Sequence, residues 1–267
     1  KHWYPPGYSL LGAPFTLLFP RHPFFLVNLV ATLIFAGAFL AYFRPLVGVW
    51  GSAAAFLAGL LLPPVIWLPW PVIVPFWLQF AVPWNSVPVA AAFMAIILMM
   101  RSLRETPAAT HDFALGACAG LIAITRPADV LPLLPACILY LWQRLVPERR
   151  WLNIVVGLAG AFAIVGPTIV LMIAMHGGLA APYQDATNEI GLSAASILYR
   201  ALAILIDGST FGVELSLFGV APLLFLAVPL AVVWACLDRR HGLLPVATAL
   251  AAIAAYLSYN DFSPLNI

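Results

Sequence analysis

Apolar segments recur along this chain at about the length that crosses a lipid bilayer, and almost no charge interrupts them. A helix that spans the hydrocarbon core needs roughly 20 mainly apolar residues. Eight candidates meet or approach that length, near residues 24–42, 46–62, 87–100, 113–125, 129–143, 152–174, 215–236 and 243–259. Only 8% of the residues are charged against 64% hydrophobic, whereas a soluble domain carries roughly a quarter charged residues on its surface. The pattern predicts an all-α, polytopic transmembrane bundle, a single transmembrane domain over residues 1–267. A backbone in lipid must satisfy its own polar groups, and helices do so within one segment. The first residue is Lys1 rather than Met, no signal peptide follows it, and Asn260 to Ile267 stop in a polar stretch. The chain is therefore expected to be a piece of a longer one.

The net charge of +2 says little about partners, but the positions of the charges say which way the bundle faces. With the start of the chain outside, alternation of the spans puts Arg44, Arg101, Arg104, Arg144, Arg149, Arg150, Arg239 and Arg240 inside. Lys1, Arg21, Arg126 and Arg200 stay outside. The excess of basic residues in short inner connections is what the positive-inside rule requires. Three cysteines, Cys118, Cys137 and Cys236, lie in apolar stretches without metal-ligand or CxxC spacing, so they read as small core residues, and no metal site or disulfide framework is expected. No phosphate-binding Gly-rich loop occurs, and Gly157 and Gly160 inside an apolar span point to close helix packing. Nothing resembles a basic stripe with exposed aromatics, so no nucleic-acid partner is expected.

The outer connections are long and rich in Pro and aromatic residues, so working residues are expected there. In residues 63–86 the prolines of Pro63-Pro64-Val65-Ile66-Trp67-Leu68-Pro69-Trp70-Pro71 forbid a regular helix, and its tryptophans suit the membrane–water interface. In residues 176–213 an apolar stretch near 194–206 reads as an interfacial helix. The fourth and fifth spans are short, and Thr125-Arg126-Pro127-Ala128-Asp129 lies between them. That describes a helical hairpin with a cationic tip. An arginine at membrane depth is costly unless it is paired or faces a wet cavity. Arg126 therefore has three readings: a ligand for phosphate, which its planar donor fork fits; an ion pair with Asp129; or snorkelling to head groups.

At the start of the chain, His2-Trp3-Tyr4-Pro5-Pro6-Gly7-Tyr8-Ser9-Leu10-Leu11 leads into an apolar stretch from Phe15 to Phe19. The prolines stiffen an outer loop, Gly7 permits a turn, and a short interfacial helix is expected to follow. Tyr4 and Tyr8 are suited either to stacking on a sugar or to the lipid interface. Asp185 and Glu189 lie four residues apart in a polar outer loop and read as acceptor-positioning or as simply solvated carboxylates.

Tyr4-Pro5-Pro6-Gly7-Tyr8-Ser9-Leu10-Leu11 resembles the YPPGYPLL element of the C-superfamily of integral membrane glycosyltransferases, such as the bacterial mannosyl- and aminoarabinosyltransferase-like proteins. Gly116 to Pro135 is similar to the helix, Thr-Arg-Pro, helix segment of the same family. The resemblance covers about half of the chain. It implies transfer of a sugar from a polyprenyl phosphate to a lipid, glycan or protein acceptor, on the outer face of the bacterial cytoplasmic membrane. Arg126, with Arg200 and His2, would hold the lipid phosphate; Tyr4, Tyr8, Asn85, Asp185 and Glu189 would contact substrate. The catalytic carboxylate of the family would lie upstream of Lys1. Where many relatives carry an acidic residue before the third span, this chain has Asn85, so no cofactor is expected and dependence on a divalent metal stays open. Two other readings remain: a polytopic transporter or flippase, and a non-catalytic relative that binds polyprenyl lipids.

Overall fold

The computed structural model describes residues 6–61, 65–67, 71–73, 85–105, 108–146, 150–176, 201–202 and 224–258. The chain is helical over most of them. In order they form α1 (Pro6–Gly12), a 3-10 turn (Ala13–Thr16), α2 (Pro23–Leu61), the strands β1 (Val65–Trp67) and β2 (Pro71–Ile73), α3 (Ser86–Glu105), α4 (Ala109–Thr125), a 3-10 segment (Pro127–Leu133), α5 (Leu134–Leu145), α6 (Trp151–His176), α7 (Leu224–Leu237) and α8 (Arg239–Ser258).

Three of these helices are long and apolar enough to cross a membrane: Pro23–Gly59, Ser86–Leu103 and Trp151–Ala174. Large apolar side chains point outward from them, with Phe162 71% and Leu33 64% exposed. Water would penalise such a surface, but lipid tails accept it.

The first of the three is not straight. Gly48 has φ 76° and ψ 174°, a conformation that only glycine enters without strain. Phe35 and Phe56 would be about 31 Å apart along a continuous helix, yet their ring centroids are 6.3 Å apart. Phe39 and Phe56 meet at 5.6 Å. The chain therefore reverses at Gly48, and residues 49–61 fold back along residues 23–47. The arm 23–47 is by itself about 37 Å long, enough for the ~30 Å hydrocarbon core. The boundary expected between spans near 24–42 and 46–62 falls at this reversal, but of the two arms only 23–47 is long enough to cross; residues 49–61 extend about 20 Å.

A second reversal follows Thr125. The residue before a proline is pushed away from helical geometry, and Arg126, which precedes Pro127, has φ −144° and ψ 85°. Asp112 and Arg144 would be about 48 Å apart in one helix, but they are bonded at 2.8 Å. The hairpin with Arg126 at its apex is thus present, its return arm starting as the 3-10 segment that holds Pro132.

Glycine sets the closest approach in the bundle. A Cβ on Gly116 would collide with the Gly157 carbonyl, one on Gly160 with the Phe113 carbonyl, and one on Gly120 would lie 2.8 Å from the Ala161 carbonyl oxygen. The backbones of α4 and α6 touch directly there, as small residues allow in membranes. Val89, Ala92, Ile96, Met100 and Leu103 line one face of α3 at helical spacing and form the core with Leu115, Ile122, Leu133, Ala136, Tyr140 and Leu244.

Two expectations need correcting. Gly7 makes no turn: it lies inside α1, which starts with Pro6 in its first turn, where a missing N–H costs nothing. The short helix therefore comes earlier than Phe15. Of the cysteines, Cys118 is half-buried, but Cys137 and Cys236 are exposed. A small apolar residue on a lipid-facing helix needs no core position.

Candidate functional site at the hairpin apex

In the described part of the bundle a cluster of polar groups stands at each end of α4. One pole is the apex at Arg126. Three stretches far apart in sequence converge on it. Gly7 of α1 lies so close that a Cβ there would be 2.5 Å from the Ile124 carbonyl oxygen and 2.8 Å from the Thr125 nitrogen. Only a residue without a side chain lets α1 seat on the end of α4. Asn85, just before α3, donates from Nδ2 to the Thr125 carbonyl at 3.2 Å, a carbonyl left over at the end of α4. Tyr8 donates to Asn28 Oδ1 at 3.0 Å and stacks on Phe24 with ring centroids 4.5 Å apart. Burial pushes the Tyr8 hydroxyl up to about 12, with the bond to Asn28 pulling the other way.

Arg126 follows the last turn of α4, where the helix dipole favours a cation. Its Nε lies 3.3 Å from Asp129 Oδ2, with side chains 25% and 8% exposed, and the Asp129 amide donates to the Arg126 carbonyl at 2.9 Å. The ion-pair reading of Arg126 is thus realised. The contact is long for a charge-assisted bond, which closes to about 2.7–2.9 Å when optimal. Thr125 is fully buried, and its Oγ1 has no hydrogen-bond partner among the described residues.

Beside the apex, an apolar cavity of about 170 Å³ runs between α1, α2, α3 and α4. Leu11 and Phe15 frame it on one side, Val27 and Ile34 on another, and Pro88 and Leu121 on a third. Val27 adjoins Asn28, Pro88 lies three residues past Asn85, and Leu121 one turn before Thr125, so the polar cluster adjoins one end of an apolar groove.

The opposite pole ties the other helix ends together. Asp112, in the first turn of α4, accepts two bonds at Oδ1, from Arg144 Nε at 2.9 Å and a terminal nitrogen at 2.8 Å, and at Oδ2 one from that same nitrogen at 3.0 Å. Asn153 Nδ2 donates to Oδ2 at 2.7 Å. Arg144 is 1% exposed and Asp112 not at all. Tyr140 donates to the Asn153 carbonyl at 2.9 Å. Arg101 donates to the Tyr42 carbonyl at 2.7 Å and lies over its ring, and the Tyr42 hydroxyl donates to the His241 carbonyl. Between α7 and α8, His241 Nδ1 meets Asp238 Oδ2 at 2.8 Å, and this bond holds the Asp238 carboxyl below its usual value.

Of the residues singled out from sequence, Arg126 and Asn85 meet around Thr125, and Tyr8 belongs to the helix seated on it. His2, Tyr4, Asp185, Glu189 and Arg200 lie outside the described residues. Asn28 carries no sequence signal beyond being one uncharged polar residue in an apolar run, and Thr125 stands in the sequence only as the neighbour of Arg126. Arg144 reads in the sequence as an orienting charge, and nothing in the spacing of Asp112 and Asn153 marks them as its partners. Two intramembrane polar residues and an arginine at matching ends of three spans were the available signal. Among the described residues no group of His, Cys, Asp and Glu is arranged to hold a metal ion. Comparison with protein-family models, with curated proteins and with solved structures finds no match.

Proposed function

We propose that this chain is the membrane domain of a glycosyltransferase that moves a sugar from a polyprenyl phosphate to an acceptor, with the hairpin apex holding the lipid phosphate. The observation that carries this reading is the seating of α1 (Pro6–Gly12) on the end of α4 at Ile124 and Thr125 through Gly7. The described parts of the two stretches that resemble the C-superfamily are thereby in contact, and an apolar groove adjoins them. A lipid phosphate needs that combination: a cation for its head and an apolar channel for its first prenyl units. The unpartnered, buried Thr125 hydroxyl supports it further, since leaving such a group unsatisfied costs about 1–3 kcal/mol.

In the proposed reaction the bond from the anomeric carbon to the phosphate oxygen breaks as the acceptor oxygen attacks that carbon. The acceptor's proton passes to a general base. Arg126 stabilises the charge that develops on the leaving phosphate. Asn85 and Gly7 act on Thr125, fixing the end of α4 and hence the arginine. Arg200 and His2 would assist at the phosphate, and Tyr4, Asp185 and Glu189 at the sugar or acceptor. The proposed topology has eight crossings with the apex on the periplasmic face of a bacterial cytoplasmic membrane.

The test is Arg126→Ala in the full-length protein, assayed for transfer from a polyprenyl-phosphate sugar. A loss of about 10²–10³ in rate with normal membrane insertion is expected, whereas wild-type turnover refutes the phosphate role.

A further inference from the structure

The Arg126–Asp129 pair carries a consequence that a lone arginine would not. Resting on the reading above, we infer that Asp129 makes the site selective for the charge of the phosphate, favouring a singly charged phosphodiester over a doubly charged monoester. Asp129 is 6% exposed, its Oδ2 lies 3.3 Å from Arg126 Nε, and its amide is fixed to the Arg126 carbonyl. A phosphate that approaches this guanidinium therefore also approaches a carboxylate whose contact with water is small.

The balance of charge then differs between substrate and product. A sugar-phosphate lipid is a diester with one negative charge. After transfer, the same phosphate is a monoester, with a second ionisation near 6 and so close to two negative charges at neutral pH. Arginine and aspartate together are neutral, so this pair with the diester carries −1 and with the monoester −2, and any further cation at the phosphate adds equally to both. Charges a few ångströms apart at a partly buried site interact strongly enough to change an equilibrium by tenfold or more. The carboxylate thus weakens retention of the product relative to the substrate and helps the spent lipid to leave. Asp129 acts here as a specificity-determining residue, through Arg126 and the ligand's charge.

The experiment compares binding of a polyprenyl monophosphate and of its methyl phosphodiester, of equal chain length, to the full-length protein at pH 7.5. The wild type is expected to prefer the diester, and Asp129→Asn to shift that preference towards the monoester by about tenfold. Asp129→Glu keeps the charge and should keep the preference. Repeating the wild-type measurement at pH 5, where the monoester holds its second proton, should reduce the preference even if Asp129→Asn fails to fold. An unchanged ratio in Asp129→Asn, or in the wild type at pH 5, overturns the selectivity while leaving lipid-phosphate binding intact. Binding of neither lipid by the wild type overturns the proposed function itself, and this inference with it.

Discussion

Two arginine–aspartate pairs sit at opposite ends of α4, built from the same two residue types and put together in different ways. At one end Arg144 and Asp112 are wholly buried, joined through both carboxylate oxygens, and completed by Asn153. At the other, Arg126 is a quarter exposed and meets Asp129 through Nε at 3.3 Å. Both obey the helix dipole, the acid in the first turn and the base after the last. The first is saturated by its neighbours and ties α4, α5 and α6 into one unit. The second is longer and partly exposed, next to an apolar groove and a buried hydroxyl with no hydrogen-bond partner among the described residues. A pair closed off from its surroundings serves the fold, while a part-exposed one beside a cavity stands where a ligand can reach it.

The sharpest way to break this comparison is to remove one member of the buried pair. Asp112→Ala or Arg144→Ala leaves an uncompensated charge and should cost about 3–5 kcal/mol, read as loss of monodisperse protein on detergent extraction. Replacing both, as Asp112→Leu with Arg144→Met, should recover much of that loss, because the charge left alone is the main penalty. Gly7→Ala comes next. Its methyl group would meet the Ile124 carbonyl, and displacing α1 should cost about 1–3 kcal/mol, seen as a lower melting temperature together with weaker lipid-phosphate binding. Arg126→Ala takes one partner from the nearly buried Asp129 but removes a part-exposed arginine, so it should cost about 1–3 kcal/mol, less than Asp112→Ala or Arg144→Ala, and the same type of substitution separates the two poles in a thermal melt.

Two smaller effects depend on pH. Tyr8 is held neutral by burial, its hydroxyl raised from 10.0 to about 12, so stability is full below pH 10 and declines as pH rises towards 12. Tyr8→Phe should flatten that alkaline slope in a melting series while losing the bond to Asn28. Asp238 is held below its usual value by His241, so its small contribution is present above the ordinary carboxylate range and fades as pH falls through the lowered value. Asp238→Asn should remove only that acid-side slope.

Much of the architecture could be read from the sequence because hydropathy and helix length are linked directly to bilayer thickness. The hairpin at Arg126 was legible through Pro127, which denies its predecessor helical geometry. The reversal near residue 48 was legible as a boundary between two spans, though not as a positive-φ glycine. Convergence of Gly7, Asn85 and Thr125 was not legible residue by residue, since the contacts run through backbone atoms that any sequence has. Gly7 pointed to a turn because glycine's freedom is the commoner reason for it; its lack of a side chain is what counts here. The Asp112–Arg144–Asn153 cluster was hidden because a charge at a span end reads equally well as a topology signal.

Assignment of the lipid phosphate to the Arg126 apex is tested most directly by a paired measurement of folding and of polyprenyl-phosphate binding in the full-length Arg126→Ala and Arg144→Ala proteins. Arg126→Ala is expected to stay folded and lose binding, while Arg144→Ala fails to yield folded protein. A folded Arg126→Ala that binds the lipid phosphate as tightly as the wild type would contradict that assignment.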